Sequence, residues 1–184
     1  MQVDTFEIEG PLLFTPKIFG DSRGYFMETF KAKVFEEHTG LQNPFIQDNQ
    51  SLSKPKGTIR GLHFQIPPHP QGKLVRCLTG SIVDVAVDAR RGSPTYGQHV
   101  RAILSAENAA QLWVPAGFLH GFSTLEDDTT VTYKCTDYYA PECDGNIHFA
   151  DPDLNIDWGV DLQNAVLSEN DINAPSFKNF DSPF

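Results

Sequence analysis

Positive charge is scarce in this chain. Fourteen Lys and Arg stand against 24 Asp and Glu, a formal net charge of -10. A protein that binds duplex nucleic acid or lies on a membrane surface needs a basic face, so neither partner is expected. A small anionic ligand stays open, because two or three arginines can reverse the potential inside one cleft. Cysteine is scarce as well. Cys77, Cys135 and Cys143 are odd in number and form no Cys-x-x-Cys pair, which fits reduced thiols in a cytoplasmic protein. No stretch approaches the ~20 apolar residues that span a bilayer. Met1 to Gly10 holds no basic stretch followed by an apolar run, so no secretory signal is expected and the sequon at Asn49-Gln50-Ser51 carries no meaning. Internal repeats, low-complexity segments and linker-like shifts in composition are all missing, and a single domain over 1–184 is expected.

What is present reads as a globular, strand-rich chain. The 184 residues are 40% apolar and 21% charged, enough to bury a core without disulfides. Fourteen Gly, 13 Pro and 14 Phe, spread evenly, indicate short strands joined by turns. Lys73–Leu78, a tight turn at Thr79-Gly80, and the period-two segment Ser81–Asp88 read as a hairpin. Further strands are expected at Gly24–Phe30, Phe45–Leu52, Thr58–Ile66, Gln98–Leu104, Ala110–Val114 and Thr129–Thr136. Lys31–His38 is the best helix, closed by Gly40. A second short one is expected near Ser168-Glu169-Asn170-Asp171, which is similar to a capping box. Strands at short spacing with little helix predict an all-β sandwich, jelly roll or barrel. Nothing resembles the strand–helix alternation of a dinucleotide-binding fold.

Two constellations could carry chemistry. Gly57-Thr58-Ile59-Arg60-Gly61-Leu62-His63-Phe64-Gln65 puts an arginine and a histidine on one strand with opposite parity. They can face one cavity only if the strand is kinked between them, which Gly61 permits; otherwise Arg60 is a solvated arginine and His63 a satisfied core histidine. Pro115-Ala116-Gly117-Phe118-Leu119-His120-Gly121-Phe122 follows a strand and delivers His120 at the start of the next. These two segments resemble the two motifs of the cupin jelly rolls. Metal-binding cupins supply His-x-His and then a glutamate in the first motif. Here the residue two after His63 is Gln65, and no glutamate follows before Gly80. His63 and His120 alone make a poor divalent site, so a cupin without metal or other cofactor is expected. Lys73 shares a strand face with Val75 and Cys77, and Tyr133 shares one with Val131 and Cys135. Asp171 reads as a helix cap. His69, His99 and His148 read as surface or loop residues without partners.

Together the segments resemble the dTDP-4-dehydrorhamnose 3,5-epimerase family, from Asp21-Ser22-Arg23-Gly24-Tyr25-Phe26-Met27-Glu28-Thr29-Phe30 to Leu167-Ser168-Glu169-Asn170-Asp171. Between them lie Gln47-Asp48-Asn49-Gln50-Ser51, Ile59–Gln65, Gly72-Lys73-Leu74-Val75-Arg76, Asp84–Asp88, Pro115–Phe122 and Tyr133-Lys134. The resemblance implies a cupin-type jelly roll (double-stranded β-helix) with a few short helices, a homodimer with N-terminal strand exchange, and inversion of C3 and C5 in a dTDP-linked 4-keto-6-deoxy sugar. It implies His63 as base with Asp171 as its carboxylate partner, Lys73 facing the oxyanion, and Tyr133 as acid on the opposite face. It implies substrate contacts at Arg23, Phe26, Glu28, Gln47, Asn49, Arg60, His120, Tyr139 and Asp144. Three departures stand out: the family usually has glutamate at Asp144, lysine near Asn170 and tryptophan at Phe149. The alternatives weighed are an epimerase of C3 or C5 alone, a sugar-nucleotide-binding cupin without turnover, and a metal-dependent cupin oxygenase or isomerase.

Overall fold

The computed structural model describes Met1–Phe184. In chain order the elements are β1 (Gln2–Thr5), β2 (Leu12–Thr15), β3 (Ile18–Asp21), β4 (Gly24–Met27), α1 (Ala32–Thr39), β5 (Gln47–Ser53), β6 (Ile59–Gln65), β7 (Lys73–Thr79), β8 (Ser81–Asp88), β9 (His99–Ser105), β10 (Gln111–Val114), β11 (Phe118–Thr124), β12 (Thr129–Cys135), β13 (Asp144–Asn146) and α2 (Glu169–Ile172). A six-stranded sheet runs β1-β2-β10-β7-β12-β5 and a five-stranded sheet runs β13-β6-β11-β8-β9. All their pairings are antiparallel. The fold is the expected all-β, cupin-type jelly roll.

Alternation along the strands explains the two layers. Val75, Cys77, Leu112, Val114 and Val131 of the first sheet meet Ile82, Ala86, Leu104, Phe118 and Phe122 of the second in one buried cluster. The reverse face of the five-stranded sheet is not left to solvent. Val83, Val85, Val87 and Leu119 are covered by Leu154, Ile156, Trp158 and Phe177 of the C-terminal segment. β8 is therefore buried on both faces, with Ile82 through Asp88 all inaccessible, where the sequence predicts period-two alternation. Across the first sheet, α1 lays Phe35 on Phe14, Leu74 and Trp113. Full burial of such a ring contributes on the order of 1.5–3 kcal/mol. Gly40 ends this helix in the left-handed region at φ 73°, its N–H donating to Glu36 O at 2.8 Å.

One expectation is corrected. β7 and β8 do not form a hairpin, because β7 pairs with β10 and β12 while β8 pairs with β9 and β11. One residue, Gly80, separates them, too few for the two-residue hairpin turns. At φ +75° and against Thr129, Gly80 turns the chain from one sheet into the other. The short strands β1, β2 and β3 carry too little alternation to be read from sequence. β3 and β4 form a separate two-stranded ribbon.

Candidate active site

A cavity of about 470 Å³ opens between the sheets at one end. Gln47 and Asn49 enter it from β5, His63 and Gln65 from β6, Lys73 from β7, Tyr133 from β12, and Asp144 from β13, with Tyr139 and Asn170 at the rim. The parity problem on β6 is solved at Gly61. Ile59, Leu62 and Phe64 all point into the C-terminal cluster, and pairing with β11 slips between His120 and Phe122. The slip resets the alternation, so Arg60 and His63 both turn to the inner side. A Cβ at Gly61 would stand 2.5 Å from Gly121 Cα, which restricts the position to glycine.

His63 is half-buried and its Nε2 lies 2.6 Å from Asp171 Oδ1, although the two are 108 positions apart. The C-terminal segment crosses the five-stranded sheet, bridges Thr58 through Val166, and sets α2 beside β6. Ser168 Oγ accepts from Asp171 N–H at 3.1 Å and donates to Asp171 Oδ2 at 2.7 Å. Asp171 is thus both a first-turn residue and the partner of His63. Burial works against its charge, but hydrogen bonds from His63 and Ser168 outweigh that and hold the carboxyl below its ordinary range. An ionised carboxylate only accepts, so the His63 proton sits on Nε2 and the cavity-lining ring keeps Nδ1 as its basic atom.

Lys73 and Tyr133 come from the opposite sheet. Burial pulls the Lys73 ammonium below its ordinary range, opposed by Cys135, Asp144 and Asp84. Burial pushes the Tyr133 phenol up, assisted by Cys135 and opposed by Asn49 and Arg60. The phenol is therefore kept protonated. Val75 and Cys77, Val131 and Cys135 are buried as strand parity predicts. His63 and Tyr133 face one space from different layers of the sandwich.

His120 is not in the cavity lining. It is buried on β11, and its Nε2 lies 2.7 Å from Oδ1 of the fully buried Asp84 on β8. Arg60 lies outside the lining too, its Nε donating to Ser53 Oγ at 3.1 Å and its Nη2 to Leu52 O at 3.3 Å. Arg23, Phe26 and Glu28 sit on or beside the β3–β4 ribbon, away from this chain's cavity. Arg23 pairs with Asp21 at 2.5 Å, Glu28 pairs with Lys31 at 2.8 Å, and Phe26 is 65% exposed. Phe149 is buried, its carbonyl accepting from Trp158 Nε1 at 2.9 Å.

Sequence reading missed Gln50 and Gln71 in the lining, and it missed Asp84. A signal for Asp84 exists: an aspartate inside Ile82-Val83-Asp84-Val85-Ala86-Val87 is buried on either parity and must find a partner. His69 is not unpartnered, since its Nδ1 lies 3.1 Å from Asp137 Oδ2. His148 Nδ1 accepts from Ala150 N–H at 3.2 Å, and His99 is a half-buried strand residue. No group of three or more His, Cys, Asp or Glu is placed to hold a metal ion. The two inward histidines are each committed to a carboxylate.

Comparison with known proteins places these features in context. Residues 5–179 match the family model for dTDP-4-dehydrorhamnose 3,5-epimerase. A dTDP-4-dehydrorhamnose 3,5-epimerase of Shigella flexneri is 50% identical over 98% of both chains. Among solved structures, a dTDP-6-deoxy-D-glucose-3,5-epimerase of Legionella pneumophila in complex with dTDP-4-keto-L-rhamnose superposes with a TM-score of 0.92. It is 48% identical and covers 98% of this chain and 94% of its own. A 3'-monoepimerase of Streptomyces bikiniensis in complex with dTDP-quinovose has a TM-score of 0.86 at 37% identity, covering 93% of this chain and 85% of its own.

Proposed function

This chain belongs to the dTDP-4-dehydrorhamnose 3,5-epimerase family, and on that premise we propose how its own residues perform the reaction. The enzyme inverts C3 and C5 of dTDP-4-dehydro-6-deoxyglucose, giving dTDP-4-dehydrorhamnose. Both carbons flank the C4 ketone, so loss of either proton gives an enolate with its charge on the C4 oxygen. His63 Nδ1 takes the proton from one face of the ring, and Asp171 stabilises the imidazolium that forms. Lys73 faces the oxyanion; a donor aimed at developing charge in a dry site contributes roughly 3–4 kcal/mol. Tyr133 returns a proton from the opposite face. Each inversion leaves His63 protonated and Tyr133 ionised, and exchange with solvent restores both.

The observation that carries this reading is the placement of His63 and Tyr133 on opposite sheets around one cavity, with Lys73 in the same lining on the strand paired with that of Tyr133. Gln47, Asn49 and Tyr139 are read as contacts to the nucleotide, with Tyr139 stacking on thymine; Asp144 lies at the sugar's edge, and His120 acts on Lys73 through Asp84, which interacts with both. No cofactor takes part in this scheme. Incubation with dTDP-4-keto-6-deoxyglucose in heavy water tests it. Deuterium at both C3 and C5 of an inverted product is expected. Label at one carbon supports a monoepimerase, the activity of the less similar Streptomyces enzyme. No label at either carbon overturns the proposal and leaves a binding cupin.

The diphosphate side of the site is incomplete in one chain. Arg23, Phe26 and Glu28 project on a ribbon whose Phe19, Tyr25 and Phe26 are exposed at 51%, 65% and 65%. In this reading the protein is a homodimer, the ribbon of one protomer reaching the cavity of the other. Arginine suits a diphosphate because its planar fork bonds two oxygens at once. A protein that sediments as a monomer at working concentration while fully active would sink the dimer. A cytoplasmic setting fits the three free, buried cysteines.

A further inference from the structure

We propose that Gln65 is a positioning residue for nucleotide binding: its carboxamide fixes the backbone of Tyr139 from both sides and so aims that ring at the base. Gln65 ends β6 and is buried at 4% exposure, although its side chain reaches the cavity. Its Nε2 donates to Tyr138 O at 3.1 Å and its Oε1 accepts from Ala140 N–H at 3.0 Å. The Tyr138 carbonyl belongs to the peptide group before Tyr139, and the Ala140 N–H to the one after it. One planar amide therefore clamps both peptide groups on which the Tyr139 backbone angles depend. A third bond, Tyr139 N–H to Gln47 Oε1 at 3.1 Å, completes the grip. The ring itself is 58% exposed, so the backbone supplies the positioning that packing does not.

The orientation of the amide is dictated by its partners. Nε2 also donates to His69 O at 2.7 Å, and an exchanged amide would set an oxygen against two carbonyl oxygens. Through that bond Gln65 ties a second loop to the first. The same loops are joined by Gln71 Nε2 donating to Asp137 O at 2.7 Å. Gln65 stands where a metal-binding cupin carries the second histidine of His-x-His. Here all its hydrogen-bonding capacity but one lone pair is committed to the loops that frame the cavity.

The inference rests on the dTDP-sugar reading above, and the test separates the two. dTDP affinity, inorganic pyrophosphate affinity, KM and kcat are measured for the parent, Gln65→Met, Gln65→Glu and Ser123→Ala. Gln65→Met is expected to weaken dTDP and raise KM by roughly three- to tenfold, the cost of ordering one aromatic side chain on binding. Pyrophosphate affinity and kcat stay unchanged. Gln65→Glu keeps the acceptor for Ala140 but donates only when protonated, so its deficit in dTDP binding narrows as pH falls. Ser123→Ala removes a buried bond to Trp158 O of 2.5 Å elsewhere, and is expected to lower Tm without moving dTDP affinity. Unchanged dTDP binding in Gln65→Met overturns the positioning role, as does an equal loss of pyrophosphate or an equal effect of Ser123→Ala. If Gln65→Met does not fold, a Gln65→Glu protein that binds dTDP as the parent does at every pH overturns it. A parent that binds no dTDP overturns the substrate reading together with this one.

Discussion

His63 and His120 stand on neighbouring strands, each paired with a carboxylate, and the two pairs differ in their surroundings. His63–Asp171 and His120–Asp84 are nearly equal in length, 2.6 and 2.7 Å. The His63 side chain is 37% exposed, toward the cavity, and the His120 side chain only 8%. Asp171 has a second donor in Ser168, whereas Asp84 Oδ2 is buried with no partner. The consequence is opposite in sign. Burial is outweighed at Asp171, which is held below the ordinary carboxylate range. Burial wins at Asp84 over His120 and Lys73, and pushes it up. A base needs a firmly ionised partner behind it and open space in front. One pair has both, and the other has neither.

The largest expected effect separates the pairs directly. His63→Ala should lower kcat by about 10³-fold, within the usual range for a positioned general base. Solvent exchange at both C3 and C5 should fall with it. His120→Ala should leave exchange at those carbons measurable. If it abolishes exchange as His63→Ala does, the division of labour between the pairs is wrong. Next in size is Tyr133→Phe. Net inversion should fall by about 10²-fold, while exchange of the proton that His63 removes continues, because His63 can return it to the face it came from. NMR of the recovered starting sugar reads this as label without inversion. Equal loss of both would place the phenol and the imidazole on one face.

Why the sequence displayed one pair's role and hid the other follows from how each is held. His63 was half legible: Gly61 between Arg60 and His63 permits the kink that would bring both to one side, but parity alone reads them on opposite faces, and the family resemblance supplied the role. The strands β5 to β10 and β12 were legible within a residue or two, since alternation and glycine turns are local, and β11 only by where it begins. The layer to which each strand belongs was not. The turn at Gly80 looks the same whether it closes a hairpin or crosses between sheets. Asp171 read as a cap because its second bond spans 108 positions, a relation that no local pattern encodes and that only family resemblance supplied. Gln65 attracted notice for the metal ligand it is not. Its three partners lie on loops whose paths are set by tertiary contacts.

The smallest effect tests the electrostatic side of the comparison, through stability. A carboxyl whose folded pKa is lowered adds stability above its unfolded value, near 3.8 for Asp171, and loses it as pH falls through the folded value. A carboxyl whose folded pKa is raised does the reverse. Asp84 costs stability once pH rises above 3.8, and the cost is complete above its folded value. At pH 7, Asp171→Asn should therefore lose charge-assisted bonds worth about 1.5–3 kcal/mol, and each kcal/mol lowers Tm by roughly 2–4 °C in a chain of this size. Asp84→Asn removes a carboxyl whose ionised form burial disfavours, while keeping an oxygen for His120, and its Tm should match or exceed the parent's. In acid the Asp171→Asn deficit should shrink toward zero, because the parent's carboxylate is then protonated as well. Calorimetric scans from pH 7 down through 3.8 and below follow that deficit as it shrinks. An Asp84→Asn protein that loses as much stability as Asp171→Asn at pH 7 would mean that Asp84 is a charged, well-paired partner, and the two pairs would then differ in exposure alone.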